Sequence, residues 1–414
     1  MNRRRVVITG LGVITPIGIG QEQLWAGLRR GKSAVRRITR FDPSPFASHI
    51  AAEVDGFDPL DYMEPRRARR LDRFSQFSLA ASHLALADAH LDLEREDRNR
   101  VGVYIGSALG GVAFAEEQHR LYLERGLHAV SPQLALLVFS GAGSANVAMA
   151  FGITGPNMAP ANSCAAGAIA IGEAFHCIQR GTTDIMIAGG AEAPLSPLVF
   201  GSFSMIRAMS TRNDTPETAC RPFDRTRDGF VMAEGAGILI LEELEHALRR
   251  NAGIYAEIIG YGHTNDAYHM TAPRPDGAQS ARAITLALQD ACLSPAAIDY
   301  VNAHASSTPL NDRTEALALH HALGPHAQIV PVSGTKGLHG HCLGGTGAIE
   351  AAICALIFQH NFLPPTYNLR DRDRACDLNC LTGSGYETTV HTILSNSFGF
   401  GGINAALILQ RFNG

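Results

Sequence analysis

Residues 160–192 have the sequence PANSCAAGAIAIGEAFHCIQRGTTDIMIAGGAE, and this stretch decides the class of fold. Apolar residues fill 165–179 at helical spacing, and the short apolar run 185–188 is typical of a buried strand. A helix followed within a few residues by a buried strand is a building unit of α/β proteins. The stretch therefore predicts an α/β fold with buried, mostly parallel sheets.

The same alternation of short apolar strands and helices extends over the whole chain. Strands are predicted at 5–9, 101–105, 185–188, 238–241, 255–259, 300–302, 329–332 and 406–409, and helices at 77–90, 165–179, 280–291 and 347–358. The first strand is expected to end in a glycine turn. No linker rich in Pro, Ser or charge divides the chain, so the step at 249–253 is the best candidate for a midpoint between two packed halves, 1–250 and 251–414.

The composition excludes several classes of protein. The chain has 414 residues, and its 35 Lys and Arg against 39 Asp and Glu give a net charge of −4, which does not support nucleic-acid binding through bulk charge. No stretch approaches the ~20 apolar residues of a membrane span, and the apolar run at the start is too short for a signal peptide. We therefore expect a cytoplasmic protein without membrane or nucleic-acid partners.

Two motifs that could indicate a cofactor or a metal are weak. Gly10 and Gly12 follow a strand, but Thr15 stands where a dinucleotide-binding loop has its third glycine, so a tight turn is favoured. The eight cysteines have no secretory context and are expected to be reduced thiols. Cys376 and Cys380 lack a second pair at zinc-finger spacing, so no metal site is predicted.

Cys164 stands at the predicted start of a helix. Asn162 or Ser163 can cap this helix, and its unpaired N–H groups and dipole favour a thiolate at its first turn. The small residues that follow leave room for a substrate, as in a nucleophile elbow. On this segment alone, a buried structural cysteine explains the pattern equally well.

Two histidines occur in turns that follow predicted strands. His304 comes directly after 300–302, where α/β sheets bind ligands, and Lys336 and His341 lie in a glycine-rich segment that leads into a helix with Glu350. A single histidine is more often structural, but two such histidines with a lysine and a poised cysteine indicate a site. The glycine-rich segment 396–404 is either a connecting turn or an oxyanion donor with a mobile phenylalanine.

Several long motifs, in order, resemble the elongating β-ketoacyl-acyl carrier protein synthases. The resemblance is to the ketosynthase II enzymes and to the ketosynthase subunits of type II polyketide systems. It is carried by VVITGLGVITPIG at the start, STRNDTPETACRPFDRTRDGFVMAEGAG and NDAYHMTAPRPDGA in the middle, and SNSFGFGGINAALIL at the end. It implies a thiolase-like five-layered αβαβα fold made of two similar halves.

The resemblance implies a decarboxylative Claisen condensation that needs no metal or redox cofactor. Cys164 takes an acyl group from the phosphopantetheine thioester of an acyl carrier protein, and the backbone N–H groups of Cys164 and Phe400 bind the oxyanion. Malonyl-carrier protein then loses CO₂, and the enolate attacks the acyl-cysteine. Phe400 also matches the gating position of the family.

The resemblance also assigns the remaining catalytic groups. His304 and His341 match the two histidines that donate hydrogen bonds to the malonyl thioester as charge accumulates there. Lys336 matches the lysine that orders the site electrostatically, with Glu350 as its counter-charge. Leu109 matches a residue of the acyl pocket and is expected to limit chain length, and the hydroxyls of Ser306 and Thr308 resemble pantetheine contacts.

Several positions depart from the common pattern of the family. Ala305 stands where glycine is usual and restricts the turn after His304, Cys342 replaces an apolar residue, and Ile403 replaces a threonine in the gating loop. The segments 162–166 and 337–340 differ as well. None of these changes removes a catalytic group, and together they fit a specialised synthase.

A cluster of arginines predicts where a carrier protein docks. Acyl carrier proteins are acidic, and the docking surface of the family lies in this region. The alternative is a solvated helix face. The candidate docking residues are Arg66, Arg67, Arg69, Arg70 and Arg207.

Three readings of the function remain open from the sequence. The first is a dimeric β-ketoacyl synthase in fatty acid or type II polyketide elongation, either a homodimer or a heterodimer with a chain-length-factor-like subunit. The second is an acyltransferase or thioesterase that uses Cys164 without condensation. The third is a non-catalytic partner subunit that shapes a cavity, against which the intact cysteine argues.

Overall fold

The computed structural model describes residues 3–414. The strands along the path of its main sheet are β1 (Val6–Thr15), β2 (Val101–Gly106), β3 (Asn157–Met158), β4 (Ile185–Glu192), β5 (Gly235–Glu243), β6 (Ala256–Asn265), β7 (Tyr300–Asn302), β8 (Val332–Ser333), β9 (Thr392–Gly399) and β10 (Ile403–Gln410), and the short strand Gly18–Ile19 pairs with β1 beside this path. The helices are α1 (Gln21–Arg30), α2 (Arg73–Asp88), α3 (Val112–Arg125), α4 (Ala142–Phe151), α5 (Ala166–Gln179), α6 (Pro197–Met205), α7 (Leu244–Arg249), α8 (Ala278–Asp290), α9 (Pro309–Leu323) and α10 (Thr346–His360), with shorter ones at Pro65–Ala68, Leu134–Leu137 and Lys336–His339.

The sheet consists of two similar halves with the same pairing pattern. One half has the order β3-β2-β4-β5-β1 and the other β8-β7-β9-β10-β6. In each half, two parallel pairings are followed by two antiparallel ones. A short antiparallel pairing between β1 and β6 joins the halves. The α/β class and the two similar halves are therefore confirmed.

The helices form three layers around the two half-sheets. α5 and α10 pack on each other and contact strands of both halves. α2 and α4 cover the outer face of the first half, and α8 and α9 cover the outer face of the second. The order is thus helix, sheet, helix, sheet, helix, as the resemblance implied. No helix in residues 3–414 is long and apolar enough to cross a bilayer.

The predicted glycine turn after the first strand is wrong. β1 continues through Gly10 and Gly12 to Thr15. A Cβ atom at Gly10 would lie 2.3 Å from the carbonyl oxygen of Ala85, and one at Gly12 would lie 1.9 Å from that of Ala81. These glycines therefore allow α2 to pack directly on the strand, and they do not form a turn.

Two further fold predictions need correction. The sheet is mixed and not mostly parallel, partly because β9 and β10 are joined by a three-residue turn, and so short a connection requires antiparallel strands. The strand predicted at 329–332 begins only at Val332. Pro331 precedes it, and Ile329 is 67% exposed in the turn after a 3-10 helix.

Candidate active site

Cys164 lies in a sharp turn at the start of α5. It belongs to a 3-10 turn, Ser163–Ala165, that runs directly into the helix. Ser163 has a φ of +50°, a left-handed conformation that residues other than glycine rarely adopt. The chain therefore turns abruptly just before the sulfur, which is the geometry expected of a nucleophile elbow.

The predicted side-chain cap on this helix is wrong. Neither Asn162 nor Ser163 accepts a hydrogen bond from the first turn. Ser163 instead faces Cys164, with its Oγ 3.8 Å from Cys164 Sγ. The hydroxyl thus acts on the sulfur and not on the helix.

A cavity of about 400 Å³ collects side chains from both halves of the chain. Cys164 and Leu109 come from the first half, and the two histidines and Phe400 come from the second. The predicted site residues that line this cavity are Leu109, Cys164, Arg207, His304, Ser306, Thr308, His341 and Phe400.

His304 follows β7 and is 3% exposed. Its backbone N–H donates to Glu315 Oε1 at 2.8 Å, and the N–H of Ala305 donates to Glu315 Oε2 at 2.8 Å. Asn396 also donates to this carboxylate, so the turn that carries His304 is anchored on α9. Ala305 has a φ of +43°, which agrees with the sequence expectation that an alanine restricts this turn.

His341 lies opposite His304, and their ring centroids are 5.2 Å apart at an interplanar angle of 76°. His341 Nδ1 is 3.0 Å from the hydroxyl of Thr346, and its backbone pairs with Val231 and Ala233. Burial, and then the positive charge of Lys336, hold the pKa of each imidazole well below its usual value. Both rings are therefore neutral and can donate one hydrogen bond each.

Lys336 does not line the cavity, which corrects the expectation that its ammonium joins the cysteine and the histidines in one pocket. It is fully buried behind them. Its Nζ donates to the carbonyl oxygen of His304 and to Glu350 Oε1, the latter at 2.6 Å. Burial raises the pKa of Glu350 to about 7, and Lys336 opposes this effect. The lysine therefore fixes the backbone that carries His304.

Burial also decides the protonation of the nucleophile. It raises the pKa of the Cys164 thiol, against the lowering effects of Ser163, the backbone N–H of Phe400 and the charge of Lys336. The thiolate preference expected from the helix terminus is thus outweighed by desolvation.

Phe400 lies in the turn between β9 and β10. A Cβ atom at Gly399 would lie 3.0 Å from the backbone nitrogen of Cys164, so the glycine lets this turn approach the nucleophile closely. The Phe400 ring stacks on Phe203 with centroids 6.1 Å apart at 17°. The segment is therefore both a connecting turn and a wall of the cavity.

The comparisons with known proteins agree with this geometry. Residues 3–247 match the family described as "Beta-ketoacyl synthase, N-terminal domain", and residues 255–370 match "Beta-ketoacyl synthase, C-terminal domain". The chain belongs to the β-ketoacyl synthase family. The resemblance stated from the sequence motifs is therefore confirmed.

Individual relatives of this synthase match it over its full length. A 3-oxoacyl-[acyl-carrier-protein] synthase 2 from Synechocystis is 45% identical over 412 residues, which covers 100% of this chain and 99% of the relative. The ishigamide ketosynthase/chain length factor superposes with a TM-score of 0.93 at 36% identity, covering 99% of this chain and 100% of that one. A chain from the structure of a type II PKS acyl-carrier protein in complex with its ketosynthase superposes with a TM-score of 0.91 at 35% identity. It covers 99% of this chain and 100% of that one.

The arginine cluster of this synthase lies away from the cavity. Arg66, Arg67, Arg69 and Arg70 are exposed in and after the short helix Pro65–Ala68, and within residues 3–414 none of them forms an ion pair. Three of them line a separate surface depression, whereas Arg207 lines the cavity itself. Arg207 thus lies apart from the other four, in keeping with the expectation that it matches a different docking position.

Sequence reasoning missed the residues that support the catalytic ones. Glu315 is one of several charged residues in the polar sequence of α9, and Thr346 is an ordinary first residue of a helix. Phe203 lies in the apolar α6 and Phe230 in a separate apolar run, and the spacing of neither run separates cavity from core. Only the glutamate offered a usable signal, because it lies in the first half of the helix that follows the predicted site loop, eleven residues after His304.

Replacing Lys336 by Met is expected to leave Glu350 as a buried charge without a partner. The free energy of unfolding should fall by ~3–5 kcal/mol at about pH 8, where the carboxylate is ionised. The loss should be smaller at about pH 6, because protonation removes the unpaired charge and the pKa of Glu350 is already raised to about 7 with lysine present.

The control for this prediction is the double variant K336M/E350Q, which removes both charges. Urea unfolding at the two pH values should show that it recovers a large part of the stability at the higher pH. An equal loss for K336M at both pH values, with no recovery in the double variant, would contradict the pairing described above.

Proposed function

We propose that this chain is an elongating β-ketoacyl synthase that condenses an acyl group on Cys164 with malonyl-acyl carrier protein. The observation that carries the proposal is the single cavity shared by the Cys164 thiol and the His304 and His341 imidazoles. The full-length relative named 3-oxoacyl-[acyl-carrier-protein] synthase 2 supports the carrier-protein substrate. The product enters fatty acid or type II polyketide chains.

In the first half-reaction, Cys164 sulfur attacks the thioester carbonyl of the acyl-carrier protein. The bond from carbonyl carbon to pantetheine sulfur breaks, the acyl group stays on Cys164, and the pantetheine thiol takes the proton that Cys164 gives up. The backbone N–H groups of Cys164 and Phe400 stabilise the oxyanion. The close approach of Gly399 to Cys164 supports this pairing of donors.

In the second half-reaction, malonyl-carrier protein loses CO₂, and the electrons of the broken C–C bond form an enolate. Charge accumulates on the thioester oxygen, which needs hydrogen-bond donors in a site with little water. His304 and His341 supply one N–H each. We assign the proton of His341 to Nε2, so that Nδ1 accepts from the Thr346 hydroxyl 3.0 Å away. The enolate carbon then attacks the carbonyl carbon of the acyl-cysteine, the bond from that carbon to Cys164 sulfur breaks, and the departing thiolate takes up one proton from solvent to restore the thiol.

Two other functions are less well supported. An acyltransferase or thioesterase needs Cys164 and one histidine as a general base, but it gives no role to the second of the two neutral histidines that face each other across the cavity. A non-catalytic partner subunit needs neither the strained turn at Ser163 nor a cysteine that lines the cavity.

The division of the chain into halves at 1–250 and 251–414 also stays part of the proposal. A cytoplasmic location does too, supported by eight free cysteines.

Substitutions of the cavity residues should affect the two half-reactions differently. In H304A and H341A, CO₂ release from malonyl-carrier protein should fall by about 10²–10³, because each change removes one donor to the enolate oxygen. Acylation of the protein by acyl-carrier protein, measured by intact mass, should continue. In C164A, acylation should be lost.

Circular dichroism and thermal unfolding serve as controls that the three variants fold. Retained acylation of C164A would remove the nucleophile from the proposal. Unchanged CO₂ release in both histidine variants would remove these histidines from the decarboxylation step, and a wild-type protein that acylates Cys164 without releasing CO₂ would instead be the acyltransferase or thioesterase.

We further propose that the exposed arginines bind the acidic carrier protein. Arg66, Arg67 and Arg70 line a depression beside α4, and Arg207 stands at the cavity that pantetheine must enter. Positive side chains that are exposed and unpaired are available for an acidic partner. The solved complex of a type II PKS acyl-carrier protein with its ketosynthase supports such a partner.

Charge reversal in R66E/R70E should raise KM for the carrier protein roughly tenfold at low salt and weaken its salt dependence, with kcat little changed. The matched control is R282E, an exposed arginine on the outer helix α8. Steady-state kinetics at several salt concentrations measure both effects. An equal response of R282E, or none in R66E/R70E, would exclude this docking surface.

A dimer is also part of the proposal. Leu136 and Met149, 66% and 67% exposed, line the same depression as the docking arginines, beside the edge strand β3, so the dimer would place those arginines at the rim of its interface. Exposed apolar patches beside an edge strand are typical of subunit interfaces. The partner is a second copy or a chain-length-factor-like subunit, and the ishigamide ketosynthase/chain length factor supports the latter class.

The L136E/M149E variant should convert the dimer to a monomer in sedimentation measurements, because it places two charges on the buried face. The control I329E changes an equally exposed apolar residue of the other half and should stay dimeric. A chain that is monomeric alone but binds a chain-length-factor-like subunit identifies the heterodimer. A wild-type chain that is monomeric in both experiments would refute the dimer.

A further inference from the structure

Glu192, the last residue of β4, is a fully buried carboxylate that has no role in the mechanism above. Its Oε1 accepts hydrogen bonds from Ser107 Oγ at 2.9 Å and from the N–H of Leu109 at 3.2 Å. Its Oε2 accepts from the N–H of Ala108 at 2.6 Å and from that of Gly344 at 3.0 Å. One side chain thus joins two loops that are distant in sequence.

Both of these loops contribute to the cavity. The first, 107–110, follows β2 and carries Leu109. The second, 342–345, directly follows His341, and its Leu343 also lines the cavity. A Cβ atom at Gly344 would lie 2.4 Å from the nitrogen of Ala108, so the loops are in direct contact where the carboxylate holds them.

The carboxylate also organises the first loop internally. The Ser107 hydroxyl that donates to Glu192 accepts the N–H of Gly110 at 2.9 Å. The N–H groups of three consecutive residues, 108–110, are therefore directed at Glu192 or at the serine bound to it. A neutral apolar residue at 192 would leave these buried donors without an acceptor.

We propose that Glu192 is a positioning residue that holds the Leu109 loop against the loop after His341, and so fixes the wall of the acyl pocket relative to the catalytic groups. The proposal rests on the assigned role of Leu109 in limiting chain length. It predicts that product length depends on a residue that never touches the substrate.

The charge of Glu192 gives the proposal a second, independent readout. This carboxylate is one of the groups that raise the pKa of the Cys164 thiol. Removing its charge should therefore make Cys164 react with iodoacetamide at lower pH. If Glu192 only stabilised the fold, the pH dependence of Cys164 alkylation would not change.

The test compares E192Q with the control E242Q. Glu242 is also fully buried, but it pairs with Ile185 at the far end of the β4–β5 ladder, whereas Glu192 pairs with Gly235. The two positions are seven residues apart along β4, or roughly 23 Å. S107A, which removes one donor and keeps the charge, is the second variant if E192Q does not fold.

In E192Q, the products should lengthen by at least one two-carbon unit, and KM for the acyl-carrier protein should rise several-fold. CO₂ release from malonyl-carrier protein should change by less than about twofold. The pH midpoint of Cys164 alkylation should fall. S107A should lengthen the products without moving that midpoint, and E242Q should change neither quantity.

Three results would overturn the proposal: wild-type product length in both E192Q and S107A, an unchanged alkylation midpoint in E192Q, or an E242Q variant that reproduces the E192Q products. The L109A variant separates the claim that Leu109 limits chain length from the claim that Glu192 positions its loop. If L109A leaves product length unchanged, the assigned role of Leu109 fails, and the alkylation midpoint still tests Glu192.

Discussion

The buried ion pair between Lys336 and Glu350 is the interaction on which the rest of the site depends. Both side chains are inaccessible to solvent, and the ammonium also donates to the carbonyl oxygen of His304. Taking two charges out of water is costly, so such a pair persists only when each group keeps its partners. It connects α10, the short helix before His341 and the turn that carries His304. The same charge helps to keep both imidazoles neutral, so one interaction sets both the position and the protonation of the histidines.

Cys164, His304 and His341 lie at one cavity because α5 and α10 pack closely on each other in the middle layer. A Cβ atom at Gly167 on α5 would lie 2.8 Å from the carbonyl oxygen of Gly344, and one at Gly347 on α10 would lie 2.9 Å from the Cβ of Ala168. Glycine at these points brings the N-terminus of α5, with Cys164, next to the loop that follows His341. The active site is therefore a property of the contact between the two halves and not of either half alone. Burial at this contact also explains why the cysteine is a thiol and the histidines are neutral.

The sequence predicted the class of fold and several residues that line the shared cavity, but not how those residues are supported. Strand and helix positions were recovered wherever apolar periodicity was clear. Gly10 was misinterpreted as part of a turn because a glycine that admits a helix onto a strand looks, in sequence, like one that bends the chain. The depressed thiol pKa expected for Cys164 was wrong because burial depends on packing from distant segments. Glu192 was missed for the same reason, since its role consists of hydrogen bonds to backbone groups far along the chain, whereas Glu315 binds the turn only eleven residues before it and was hidden among the other charged residues of α9.

The most direct test of the central claim is a pulse and chase on Cys164, followed by mass spectrometry of its peptide. Acyl-carrier protein alone should load one acyl group on this residue. Addition of malonyl-carrier protein should then remove that group at the same rate at which CO₂ and the chain-extended product appear, because decarboxylation and attack on the acyl-cysteine belong to one cavity. Removal of the acyl group as free acid without CO₂ release, or extended product formed while the label stays on Cys164, would contradict the claim.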